Sequence, residues 1–233
     1  GNRLLTFVLL ITALAAVIFS IKYSKNLINK IRIRTLALLQ LLGILGQGVL
    51  GGITVLTDLH PLPVAGHFLL SIFLISGAIS LRYEMVGVVK EAAVGLAKPI
   101  LPLLIWLTLF VLIAGTIVTG SGPHAGDEQA QRFGFDPRVV SWLHADLVIA
   151  LLVLTSMLFL ITRQIGLTII NKRVGLFLLI CLAQGLVGYV QYFTGLPVVL
   201  VAIHLLGATL VWVSGWSLVK VADSGFKLKG FQL

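Results

Sequence analysis

Residues Gln47 to His67 read QGVLGGITVLTDLHPLPVAGH, and residues Gln184 to His204 read QGLVGYVQYFTGLPVVLVAIH. Laid over each other without a gap, 47 on 184 and 67 on 204, they share Gln, Gly, Gly, Thr, Leu, Val, Ala and His in register. Apolar sequence of low complexity matches Leu or Val by chance. It does not readily bring Gln47 onto Gln184, Thr57 onto Thr194 and His67 onto His204 together. The chain therefore reads as an internal duplication.

The surroundings of these two stretches set the fold class. Of the 233 residues, 58% are hydrophobic and 11% charged, and the mean hydropathy is +1.09. A soluble domain of this size has no use for so much apolar surface, whereas runs of about 20 apolar residues cross a bilayer core of about 30 Å as helices. Seven spans are expected, at roughly 2–21, 35–56, 64–81, 99–119, 139–162, 174–193 and 197–219. The first is too long, and too plainly one of many, for a signal peptide. The single cysteine, Cys181, lies inside an apolar run, which excludes a disulfide framework and a Cys-based metal site within this chain.

The net charge of +9 is topological. Lys22, Lys25, Lys30, Arg32 and Arg34 fall between the first two spans; Arg82, Lys90 and Lys98 between the third and fourth. Arg163, Lys172 and Arg173 fall between the fifth and sixth, and Lys220, Lys227 and Lys229 follow the last. Only Arg3, Arg132 and Arg138 fall on the opposite side. Positive charge collects on the cytoplasmic side, so the pattern predicts the start of the chain outside and the C-terminus inside, and argues against nucleic-acid binding. An odd span count with an outside start, together with the repeat, leads to the expectation of one further helix before Gly1. The halves are then residues 1–98, with three of four helices, and 99–233, with four.

Polar side chains inside a bilayer are costly, so an intramembrane His is a functional candidate. His144 precedes its inner marker Arg163 by 19 residues, His204 precedes Lys220 by 16, and His67 precedes Arg82 by 15. At about 1.5 Å per residue, all three lie in the outer part of their helices. Asn2, 20 residues before Lys22, is the first-half counterpart of His144. Two facing imidazoles in a helical bundle are a usual device for six-coordinate heme iron. The second half has such a pair in His144 and His204, whereas His67 stands with Asn2, a poor ligand that leaves an iron position open. A closed bis-His site suits electron transfer; an open one suits substrate or oxygen chemistry.

Other residues read more plainly. His60 and His124 fall in outer loops, with His60 a solvated loop residue, and Asp146, two residues after His144, either supports that histidine or packs helices together. Gly48 and Gly52, four apart in a span crowded with Gly43, Gly46 and Gly51, have the spacing of close helix contacts. The loop from Gly120 to Asp127 follows a membrane span and lacks GK[ST], so it is no phosphate loop. Arg3 and Arg138 sit near helix mouths, where they can pair with heme propionates.

Several segments together resemble one family. Gly1-Asn2-Arg3-Leu4-Leu5, Gly51-Gly52-Ile53-Thr54-Val55-Leu56-Thr57 through His67-Phe68, Val118-Thr119-Gly120 through Pro123-His124-Ala125-Gly126-Asp127, and Leu143-His144-Ala145-Asp146 are similar to heme A synthase, most of all its actinobacterial-type branch. The resemblance covers essentially the whole chain. It implies an all-α integral membrane protein of two pseudo-symmetric four-helix bundle halves, seven of the eight helices being present here. It also implies a multi-pass location in a bacterial plasma membrane with the heme sites toward the outer face. On that resemblance His144 and His204 are axial ligands to the iron of a heme b, and the first half binds heme O as substrate at His67. The family's first-half His pair falls on Asn2 and His67. Its Glu-x-x-His-Arg motif is met here by Arg3, with Asn2 at the His position and the Glu falling before Gly1. The implied reaction oxidises a porphyrin methyl to a formyl group through successive hydroxylations with external electrons, giving heme A for cytochrome oxidase. Heme O synthase and cytochrome oxidase assembly proteins are the implied partners, beside membrane lipid. The alternative from another class is a non-enzymatic b-type cytochrome, which also uses His144 and His204.

Overall fold

The computed structural model describes residues 2–123 and 129–223, with side chains from residue 5 onward. Its helices are α1 (Asn2–Tyr23), α2 (Lys30–Leu56), α3 (Pro61–Val86), α4 (Ala97–Ser121), α5 (Pro137–Gln164), α6 (Thr168–Phe193) and α7 (Val198–Val221). Among the described residues, seven helices are long and apolar enough to cross a membrane. A bilayer offers no water to backbone N–H and C=O groups, and a helix pairs them all within itself. Side-chain hydroxyls follow the same rule: buried Thr108, Thr155 and Thr162 each donate to the carbonyl four residues back.

Most helices run beyond the apolar spans read from the sequence. Helix α2 begins at Lys30 and α6 at Thr168, five and six residues earlier than the hydropathy edge. A helix of 26 or 27 residues is about 40 Å long, against a hydrocarbon core of about 30 Å. Its charged ends therefore continue as helix into the headgroup region. Starts are set by local chemistry. Asp136 accepts the N–H of Arg138 just before α5, and Pro137 fills the first turn, where a missing N–H costs nothing.

The chain divides into two compact units after Val88. In the first, α1 packs on α2 and α2 on α3. The Glu84 carboxylate near the end of α3 accepts from the Asn29 amide at 2.6 Å and pairs with Arg32 at 3.1 Å. This ties α3 to the start of α2.

In the second unit α4 packs on α5, α5 on α6 and α6 on α7, while α7 also meets α4. This unit takes in residues 89–98 as well, because β1 (Glu91–Ala92) pairs in parallel with β2 (Ala222–Asp223) directly after α7. The Glu91 carboxylate also accepts the N–H of Ile170 at 2.8 Å, closing an orphan donor in the first turn of α6. The sequence reading had set the division at 98/99, at the next apolar edge.

In α5, α6 and α7 burial lies toward one end, whereas α4 has buried residues at both of its ends, from Ala97 to Leu112 and again at Gly120 and Ser121. In α5 the buried positions are Leu151, Thr155, Leu158 and Thr162; in α6 they are Ile170, Val174, Phe177 and Cys181. Both follow the spacing of one helix face. In α7 they begin at Val211. No residue of α5 before Leu151, of α6 after Cys181 or of α7 before Val211 is buried. His144 and His204 lie in these stretches of α5 and α7 without buried residues.

Many large apolar side chains are exposed on the helix surfaces, among them Phe7, Ile11, Leu42, Val153, Leu160 and Leu179. On seven apolar helices this is the surface that lipid covers, the inverse of a water-soluble exterior.

Candidate functional site

The duplicated stretches are built alike, contact for contact. In the first unit the Gln47 amide on α2 donates to the backbone carbonyl of His67 on α3 at 3.0 Å, and in the second the Gln184 amide on α6 donates to the carbonyl of His204 on α7 at 2.6 Å. Each helix turn before the next span closes in the same way. Thr57 Oγ1 donates to the Ile53 carbonyl at 2.8 Å, and Thr194 Oγ1 donates to the Val190 carbonyl at 2.7 Å. Left-handed backbone follows at Asp58 and Leu59 in one copy and at Gly195 and Leu196 in the other. The N–H of Leu59 returns to the Thr54 carbonyl, and that of Leu196 to the Gln191 carbonyl. These bonds explain why Gln and Thr stand out of the apolar match; the matched histidines supply only their backbone carbonyls, so their imidazoles are left for another role.

Glycine completes each copy. A Cβ built on Gly51 would meet His67 Cε1 at 3.6 Å, and one built on Gly188 would meet His204 Cε1 at 3.1 Å. The histidine edge thus rests on bare backbone, with Gln one helical turn away on the same helix. The second unit adds a further example: a Cβ on Gly115 of α4 would lie 3.3 Å from His144 Cε1. The glycines singled out by spacing are different ones. A Cβ on Gly48 or Gly52 would meet nothing within 4 Å, so neither marks a close helix contact among the described residues. The repeat held the signal, since Gly51 coincides with Gly188 whereas Gly52 coincides with Tyr189.

The two units differ in what their polar atoms find. In the second, His144 and His204 are half-buried. Nδ1 of each ring is buried with no hydrogen-bond partner among the described residues. Gln191 Oε1 on α6 is in the same condition. Buried polar groups are ordinarily satisfied, so three such atoms in the stretches of α5, α6 and α7 that have no buried residue call for a ligand that reaches them. In the first unit His67 is exposed, Gln47 also donates to Ser71 Oγ at 2.7 Å, and Gln47 Oε1 is left unpaired among the described residues.

No family model, curated protein or solved structure matches the chain.

The remaining sequence candidates take simpler places. His60 caps α3: its Nδ1 accepts the N–H of Leu62 at 3.2 Å, ahead of Pro61. It is half-buried and not simply solvated. Asp146 is exposed on α5. Arg138 is exposed in the first turn of α5. Asn2 is helical in its backbone, and its side chain, like that of Arg3, lies outside the described residues, as does all of His124. Among the described residues no group of three or more His, Cys, Asp or Glu is assembled to hold a metal ion directly. What the second unit offers is a pair of half-buried imidazoles, each seated on a glycine.

Proposed function

We propose that the chain is a heme-dependent membrane oxidoreductase of the heme A synthase type, oxidising a methyl group of heme O to a formyl group. On this reading the second unit is a four-helix bundle that holds a heme b between His144 and His204. The first unit receives heme O at His67, Asn2 being the other residue that the family resemblance assigns to that site.

The observation that carries the reading is the glycine-seated imidazole pair of the second unit. His144 lies against Gly115 and His204 against Gly188, in the parts of α5 and α7 that have no buried residue, each with an Nδ1 that finds no partner among the described residues. The residues fit a heme. His144 and His204 would hold its iron through imidazole nitrogens, and Gly115 and Gly188 let each imidazole rest against bare helix backbone. Bound heme supplies the redox chemistry, and the protein supplies binding and orientation. Gln184 does the orienting at His204: by holding the His204 carbonyl it fixes the rotation of that turn of α7, and with it the imidazole. Gln47 does the same for His67. The first unit has one such histidine, so His67 presents a single nitrogen toward its ligand, which leaves the opposite face for substrate chemistry.

The test is extraction of heme from the protein purified after co-expression with a source of heme O. The expected result is heme A in the extract, lost in His67→Ala while the low-spin spectrum of the second-unit heme persists. His144→Ala and His204→Ala should each abolish that spectrum. Bound heme b with unchanged porphyrin in the wild type would leave a b-type cytochrome in place of the synthase. The absence of any Soret absorbance would refute both.

A further inference from the structure

Gln191 lies on α6 seven residues beyond Gln184 and three beyond Gly188. Positions seven apart stack on one helix face, and three residues advance about 4.5 Å along the axis. Gln191 therefore continues the face that carries Gln184 and the His204 seat, one turn closer to the α6–α7 connection. Its Oε1 is buried without a partner among the described residues. The matching position in the first unit is Thr54, and there the hydroxyl is satisfied within its own helix, donating to the Leu50 carbonyl at 2.8 Å. The duplicated architecture thus works with a short, self-satisfied side chain at this place. The second unit carries instead a long carboxamide whose buried end finds no protein group.

We infer that Gln191 is a ligand-contacting residue of the second unit, hydrogen-bonding a carboxylate of the macrocycle held between His144 and His204. This inference rests on the heme reading above. A porphyrin carries its propionates on one edge, and carboxylates are stable only toward water or a polar partner. The nearest route to water from the His204 level is the α6–α7 connection, and Gln191 stands on that route. A carboxamide can turn by 180° and exchange its oxygen for its N–H2 with no steric penalty, so the buried end donates to a carboxylate when one arrives. The described cations do not take this role from α6, because its Lys172 and Arg173 lie at the opposite end of the helix.

The experiment titrates the full-length protein, purified free of heme in detergent, with heme b and with its dimethyl ester, in which both propionates are capped. Soret absorbance gives the affinity. Gln191→Leu should weaken heme b binding by about tenfold to a hundredfold, the range for a hydrogen bond to a charged group, and leave the ester unaffected. Gln191→Glu, which keeps the size and sets like charges together, should weaken heme b further and again spare the ester. This second variant keeps the comparison readable if the leucine variant fails to fold. Equal loss for both ligands, or no loss for either, would overturn the role of Gln191 while the heme reading stands on the wild-type Soret band. A wild-type protein that binds neither ligand would overturn the two together.

Discussion

Replacing Gly188 by alanine adds one methyl group at the point where His204 rests on α6. The new Cβ would sit 3.1 Å from His204 Cε1, against an ordinary carbon–carbon separation of about 3.5–4.0 Å. The imidazole must then withdraw by about 0.4 Å or more. Two effects oppose each other in the heme-free protein. Alanine in place of glycine inside a helix gains about 1 kcal/mol of intrinsic propensity, and the crowded ring gives back a similar amount, so the melting temperature should change little. Heme binding has no such offset. A coordinating side chain must be held within about 0.5 Å, a shift of this size takes up nearly all of that tolerance, and the variant should bind heme b about tenfold more weakly, about 1.4 kcal/mol. Gly185→Ala is the internal control: its Cβ would meet nothing within 4 Å, so it should gain helix stability and bind heme as the wild type does. The assay is a Soret titration of heme-free protein in detergent beside a thermal melt of the same preparations. Wild-type affinity in Gly188→Ala, or an equal loss in Gly185→Ala, would refute the idea that bare backbone at 188 seats the ligand histidine.

Two other substitutions test the packing that supports the site. Gln184→Leu removes the bond to the His204 carbonyl and Gln47→Leu removes bonds to the His67 carbonyl and to Ser71. Polar contacts between membrane helices average about 0.6 kcal/mol each, so unfolding by a denaturing detergent should show about that loss for the first and about twice it for the second. Leu158→Ala, at a fully buried position on α5, should cost about 2–5 kcal/mol in the same assay. Leu143→Ala, at an exposed position on that helix, should cost well under 1 kcal/mol; similar losses at the two would contradict the burial of α5 from Leu151 onward alone.

The apolar spans, the repeat and the histidine positions were all legible without coordinates. Hydropathy is additive along the chain, and a bilayer imposes one length on every span, so seven crossing segments could be counted from composition alone. An internal duplication is likewise a property of letters, and the matched Gln and Thr side chains each make the same bond in both copies. Helix edges were less legible: α2 and α6 begin five and six residues before the apolar run because hydrogen bonding continues past the hydrocarbon boundary.

Which face each helix turns to its neighbour was decided only by tertiary packing. Spacing singled out Gly48 and Gly52, yet His67 and His204 rest on Gly51 and Gly188, one aligned position that lies three residues after the first choice and one before the second. Positions in a helix differ by about 100° per residue, so a glycine one place along points elsewhere, and nothing in a single apolar helix states its rotation. The same holds for Gln191, an unremarked letter in the sequence whose buried, unpaired oxygen is a consequence of where α6 turns its last two turns. Apolar length determined that the chain spans a membrane and how often; helix rotation, set by packing between helices, determined which polar groups meet the histidines.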